Sequence, residues 1–162
     1  MTFEETPLQG AWVIRLEAHE DERGYFVRTF SEDAFRERGL DTRVSQTSLS
    51  WNHRRGTLRG MHYQASPHGE AKLVSCLRGR LYDVVLDLRP GSATEGDWFS
   101  VELAAGDFTS LYVPEGLAHG FQTLEDETLV HYQISVSQNH EASRIVGQAE
   151  AGDRLPELRR EL

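Results

Sequence analysis

The sequence predicts an all-β protein, a sandwich or small barrel with one or two short helices at its periphery. Apolar and polar residues alternate with a period of two over most of the chain. The alternating runs recur about every 8 to 12 residues, and Gly, Pro, Asn and Asp collect between them.

Taken in order, "FEETPLQGAWVIRLEAH" has enough apolar alternation for an extra edge strand near the N-terminus. "SEDAFRERGL" reads as a helix. Ser31 is placed to cap it, Glu32 and Asp33 suit the positive end of its dipole, and Arg36 and Arg38 suit the last turn before Gly39. "TLRGMHYQ" is a strand that carries Arg59 and His62 among Leu58, Met61 and Tyr63. "AKLVSCLRGR" is a strand whose "RGR" reads as a tight hairpin link, with Gly79 taking backbone angles other residues avoid. In "RLYDVVLDLRPGS", Tyr82, Val84, Leu86 and Leu88 share one face, while Asp83 and Asp87 share the other with Leu81 and Val85. The "RPGS" that follows is turn chemistry.

Further on, "WFSVELAAGD" alternates Phe99, Val101 and Leu103 against Ser100 and Glu102. "TSLYVPEGLAHGFQTL" is strand, Pro-Glu-Gly turn, strand. "ETLVHYQISV" sets Val130, Tyr132, Ile134 and Val136 on one face. A second helix is expected to close the chain in "LPELRREL". With no repeat, low-complexity tract or linker in view, residues 1–162 read as a single domain.

Composition excludes several classes of function. Seventeen Lys and Arg against 26 Asp and Glu leave a formal charge of −9, which argues against a broad nucleic-acid surface. A single cysteine, Cys76, excludes an internal disulfide framework and any multi-cysteine metal site. The N-terminus lacks the basic start and apolar run of a signal peptide, and no run is long enough to span a bilayer, so a cytoplasmic protein without a membrane role is expected. An anionic small molecule would need a local cationic cleft, and "TLRGMHYQ" begins to supply one.

The candidates for chemistry are Arg59, His62, His68 with Glu70, Lys72, His119, and His131 with Tyr132. An isolated strand histidine is more often structural than catalytic, and an isolated Arg or Lys is usually a solvated charge. Two features count the other way. Tyr132 lies on the apolar face with Val130 and Ile134, so its hydroxyl points inward and needs a partner there. His62 shares the parity of Leu58, the side expected to face the interior. Polar groups inside a β-barrel are costly unless paired or functional, and a ligand-filled interior accounts for both. A metal-binding barrel of the cupin type carries two histidines one residue apart, then a glutamate, then a third histidine after a Pro-x-Gly turn. "PEGLAH" provides the last of these, but Tyr63 and Gln64 follow His62. No metal is expected, and a metal enzyme built on His62, His68, Glu70 and His119 is the alternative.

Four separated motifs, "DERGYFVRTF", "SQTSLSWNHRRGTLRGMHYQ", "EAKLVSCLRGRLYDVVLDLRPGS" and "LYVPEGLAHGFQTLEDETLVHYQ", occur in an order and spacing that resemble the dTDP-4-dehydrorhamnose 3,5-epimerase family. The resemblance runs almost continuously from residue 20 to residue 135. It implies a cupin-like jelly-roll barrel and a homodimer. It also implies a metal-independent, cofactor-free isomerase acting on a 4-keto-6-deoxy sugar attached to a nucleoside diphosphate. His62 matches the family's general base and Tyr132 its opposing acid. Arg23, Gln46, Arg59, Lys72 and His119 match substrate contacts, and Ser48 stands where an asparagine that touches the nucleotide is common.

The implied chemistry suits these residue types. A hydrogen beside a ketone is weakly acidic, and histidine is the side chain whose ordinary pKa lies closest to neutral pH. The resulting enolate places negative charge on oxygen, where a fixed cation such as Lys72 helps most. Tyr132 then returns a proton from the opposite face, while Arg23, Arg59 and His119 hold the diphosphate or sugar.

The chain departs from the family pattern toward its end, where "SVSQNHEASRIVGQAEAGDRLPELRREL" replaces the usual motifs. Gln138 stands in place of a second tyrosine and Ser143 in place of a glutamate. The late aspartate that pairs with the catalytic histidine has only Asp153 as a counterpart, which makes Asp83 a candidate to orient His62. Arg28 occupies the position of a common glutamate. Epimerisation at one carbon, ketoisomerisation of a related nucleotide sugar, and nucleotide-sugar binding without turnover are the competing readings.

Overall fold

The computed structural model describes residues 1–146. Thirteen strands and one helix are formed within them. The strands are β1 (Thr2–Glu5), β2 (Trp12–Arg15), β3 (Ala18–Asp21), β4 (Gly24–Val27), β5 (Gln46–Asn52), β6 (Leu58–Gln64), β7 (Lys72–Arg78), β8 (Arg80–Asp87), β9 (Trp98–Ala104), β10 (Thr109–Val113), β11 (Leu117–Thr123), β12 (Thr128–Ile134) and β13 (Ser143–Ile145). A six-stranded sheet, β1-β2-β10-β7-β12-β5, faces a five-stranded sheet, β13-β6-β11-β8-β9, and β3-β4 form a separate two-stranded ribbon. All pairings are antiparallel. This is a cupin-like jelly roll.

Alternation explains the two faces of each sheet. Val13, Val74, Cys76, Leu111, Val113 and Val130 of the larger sheet meet Leu81, Val85, Leu103, Leu117 and Phe121 of the smaller one in the central core. The outer face of the larger sheet is covered by α1 (Glu32–Arg36), whose Phe35 packs edge-on against Phe3 and Tyr112 and tilted against Phe30.

Several expectations need correcting. Gly79 has the left-handed angle foreseen for it, φ 74°, yet the link is no hairpin. β7 pairs with β10 and β12, whereas β8 pairs with β11 and β9. Val74 and Cys76 before the turn and Leu81 and Val85 after it enter one core from opposite sheets. A corner between sheets satisfies both apolar faces, and a flat hairpin does not. The helix spans only five residues, and the Ser31 hydroxyl makes no capping bond. Its carbonyl instead accepts from Phe35 N–H at 3.1 Å, and burial of Phe35 holds the turn in place. The second helix expected in "LPELRREL" lies outside the described residues.

The "RPGS" turn is organised by Asp87, which is buried and accepts bonds from the Arg89 amide and guanidinium and from the Ser92 and Thr94 hydroxyls. The Arg89 guanidinium beside it holds its carboxyl well below the usual carboxylate range.

Candidate active site

β6 is where simple alternation fails. Leu58 pairs with Gln122 and Arg59 with Phe121, but His62 pairs with His119, so three steps on β6 match two on β11. A β-bulge of this kind reverses the parity of a strand. Arg59 and His62 therefore both lie on the cavity side of β6, where each keeps exposure to solvent, and Met61 turns to the other side to pack with Val84 and Ala118. His62 does point inward, but in the company of Arg59 rather than of Leu58.

Gly60 makes this crossing possible. Its φ is 110°, and a Cβ on it would lie 2.5 Å from Gly120 Cα and 2.8 Å from the His119 carbonyl oxygen. Replacing Gly60 with alanine is expected to cost about 2 to 5 kcal/mol, combining the left-handed penalty with overpacking against backbone. Chemical denaturation measures it, and a loss below about 0.5 kcal/mol, the usual size of an innocuous surface substitution, would show that the backbone gives way easily.

Beside His62, on the neighbouring β11, His119 is buried and its Nε2 lies 2.6 Å from Asp83 Oδ1. Asp83 was a candidate to orient His62; the structure gives it to His119 instead. β8 and β6 flank β11 on opposite sides, so the Asp83 carboxylate reaches the histidine of the adjacent strand and not the one beyond it. Asp83 Oδ2 is buried without a hydrogen-bond partner among the described residues. Asp153 lies outside them.

Across the cavity stands Tyr132 on β12, with Ser48 of β5 directly opposite it in register and Gln46 two residues along. Its ring lies 6.0 Å from that of His119, nearly perpendicular. No hydrogen bond reaches its hydroxyl among the described residues, so the protein partner expected for it is missing. Burial first, and then the Asp83 carboxylate, push its pKa well above the ordinary value, partly opposed by Arg59. Tyr132 is therefore a protonated donor throughout the physiological range.

His62 behaves in the opposite sense. Desolvation on the cavity side, followed by the neighbouring Lys72, His119 and Arg59, lowers its pKa from the ordinary 6.5 even though part of the ring stays exposed, while Glu70 acts to raise it. The imidazole is neutral near pH 7 and free to accept a proton.

Lys72 enters the same cavity from β7. Its Nζ lies 2.8 Å from Glu70 Oε1, with both side chains only 10% exposed. Arg59 Nε donates to Asn52 Oδ1 at 2.7 Å. Gln46 Oε1 accepts the Gln138 amide at 2.9 Å, which brings the substituted tail position onto β5.

Arg23 is not part of this gathering within the chain. It sits at the β3–β4 turn, is 84% exposed and pairs with Asp21. The ribbon packs through Tyr25 against Phe108, away from the cavity. The residues of the metal reading are not gathered either. Glu70 holds Lys72, His119 holds Asp83, His68 is exposed, and among the described residues no three His, Cys, Asp or Glu side chains are arranged to hold a metal ion.

Sequence reasoning missed Asn52 and Gln64. Asn52 shares the parity of Gln46 and Ser48, a signal available in "SQTSLSWN". Gln64 gave no comparable signal, because its partners at Glu70 and Asn139 come together only through folding.

The fold agrees with comparison to known proteins. The family model described as dTDP-4-dehydrorhamnose 3,5-epimerase matches residues 5–151. The chain belongs to that family. A dTDP-4-dehydrorhamnose 3,5-epimerase of Methanothermobacter thermautotrophicus is 46% identical over 134 residues, covering 82% of this chain and 71% of the relative. A Legionella pneumophila dTDP-6-deoxy-D-glucose-3,5-epimerase solved with dTDP-4-keto-L-rhamnose superposes with a TM-score of 0.85 at 32% identity, covering 91% of this chain and 78% of that one. A 3'-monoepimerase from Streptomyces bikiniensis solved with dTDP-quinovose gives a TM-score of 0.83 at 35% identity, with coverages of 88% and 72%.

Proposed function

We propose that the chain epimerises a nucleoside-diphosphate 4-keto-6-deoxy sugar of the dTDP-4-dehydro-6-deoxyglucose type, with His62 as base and Tyr132 as acid. One observation carries the reading: His62 of the five-stranded sheet pairs with His119, whose ring lies 6.0 Å from that of Tyr132 on the six-stranded sheet, so an imidazole and a phenol approach one site from opposite sheets. Proton removal on one face and return on the other inverts the carbon between them.

In this mechanism His62 takes the hydrogen from a carbon beside the ketone, and the electron pair moves onto the carbonyl oxygen. The Lys72 ammonium faces that oxygen, and one such interaction is worth about 3 to 4 kcal/mol where charge develops in a water-poor site. Tyr132 delivers its proton to the opposite face as the enolate collapses, and solvent restores both groups. Arg59, held by Asn52, faces the diphosphate or sugar with a fork suited to oxygen pairs. Gln46, Ser48 and His119 line the remaining wall. Arg23, exposed on its ribbon, is proposed to contact substrate from a second subunit.

That subunit arrangement rests on family membership and on an apolar surface. Leu49, Trp51 and Leu77 are exposed at one end of the larger sheet, which supports a homodimer covering it. No helix among the described residues is long and apolar enough to cross a membrane. We place the protein in the cytoplasm, where a chain with one cysteine loses nothing to a reducing environment.

Incubation with dTDP-4-keto-6-deoxyglucose in deuterated water tests the reading. Deuterium is expected beside the ketone, at C3, C5 or both, with inverted product. Exchange at one carbon alone identifies single epimerisation, the activity named for the Streptomyces bikiniensis neighbour. Binding without exchange at either carbon would overturn the enzymatic reading.

A further inference from the structure

In the sequence Glu70 is a candidate beside His68 and a ligand only in the alternative metal reading, and the described residues do not gather it with other metal-ligating side chains. It sits in the cavity wall beside Lys72, with one carboxylate oxygen on the ammonium at 2.8 Å and the other accepting from Gln64 Nε2 at 3.1 Å. Gln64 is itself buried, and its Oε1 accepts the Asn139 amide at 2.6 Å. A continuous path thus runs from the segment after β12, through Gln64 and Glu70, to the lysine that faces the reacting oxygen.

A buried ion pair of this kind is weak as a stabilising device, because desolvation consumes most of the attraction. A catalytic cation, by contrast, gains from being fixed before charge develops, and a lysine on its flexible stem is not fixed by itself. We propose that Glu70 is a positioning residue for the epimerisation, clamping the Lys72 ammonium toward the substrate oxygen and anchored by Gln64 to the segment after β12. The inference rests on the reading of the chain as an epimerase and adds to it the group that controls its cation.

The charges around His62 make the role measurable apart from folding. Arg59 on β6, Lys72 on β7 and His119 on β11 all disfavour the imidazolium, and Glu70, just before β7, favours it. Tyr132 on β12 and Asp83 on β8 are further titratable groups of this site among the described residues. Removing the Glu70 charge while keeping its shape leaves His62 neutral to lower pH, so the base form persists further into acid.

The experiment compares wild type with Glu70→Gln. His62 is titrated by NMR without substrate, and kcat and KM are measured against pH with dTDP-4-keto-6-deoxyglucose. The His62 midpoint and the acid limb of kcat/KM are expected to move together to lower pH. The misplaced ammonium is expected to lower kcat roughly ten- to hundredfold, with KM changed far less. An unchanged kcat overturns the proposal whatever the midpoint does. Should Glu70→Gln fail to fold by near-ultraviolet circular dichroism, Glu70→Asp decides, because it keeps the charge but withdraws the carboxylate by one methylene. A lowered kcat with a near-wild-type His62 midpoint supports the proposal, and wild-type kcat overturns it. Absence of turnover in the wild type itself would sink the epimerase reading instead, and the two failures are told apart by that control.

Discussion

His62→Asn is expected to lower kcat by about 10² to 10⁴-fold, the usual contribution of a general base, and to abolish solvent deuterium incorporation beside the ketone. Asparagine keeps the approximate size and polarity of the side chain but accepts no proton at neutral pH. Wild-type activity adds a second signature. The base must be unprotonated, and burial together with Lys72, His119 and Arg59 favours that form, so the acid limb of kcat/KM lies below pH 6.5. Activity is lost as pH falls through the limb and regained as it rises. Undiminished exchange in His62→Asn would mean that another group removes the hydrogen.

Tyr132→Phe separates the two halves of the reaction. Inverted product is expected to fall by about 10² to 10⁴-fold, because phenylalanine offers no proton to the opposite face. His62 still removes and returns hydrogen on its own side, so recovered substrate gains deuterium with unchanged configuration. Proton NMR of substrate and product reads both quantities in one sample. Equal loss of exchange and inversion would place Tyr132 with the base rather than opposite it.

The strands were readable from the sequence because a two-residue period reports which side of a strand is apolar, and Leu81, Asp83, Val85 and Asp87 do share the inward face of β8. Partners are another matter. The same period fits a hairpin and a corner equally well, so the Gly79 link was legible as a turn but not as a passage between sheets. Alternation also assumes an uninterrupted strand. The register shift beside Gly60 breaks that assumption, and nothing in "LRGMH" announces it except a glycine that many turns would also use.

Within the site, the tyrosine was legible because a phenol on an apolar face needs a reason, whereas His62 was turned inward by a parity with Leu58 that the register shift removes. Their surroundings were not legible. Asp83 and His119 are 36 residues apart and meet only because β8 and β11 are neighbours. Gln64 and Asn139 are 75 apart and meet only when the chain closes beside β6. Hydrogen bonds of this kind follow from topology, so they become visible only after the strand order is known.

The division of the site between two sheets has a consequence for how its selectivity can change. His62 belongs to the five-stranded sheet and Tyr132 to the six-stranded one, and facing sheets pack about 10 Å apart on the side chains between them. Val74, Val85, Phe121 and Val130 supply that filling. They set the spacing between the two sheets. A bulkier or slimmer filling there would change the gap between His62 and Tyr132, and with it the ring that the proposed base and acid could hold, while every residue at the cavity mouth stayed the same.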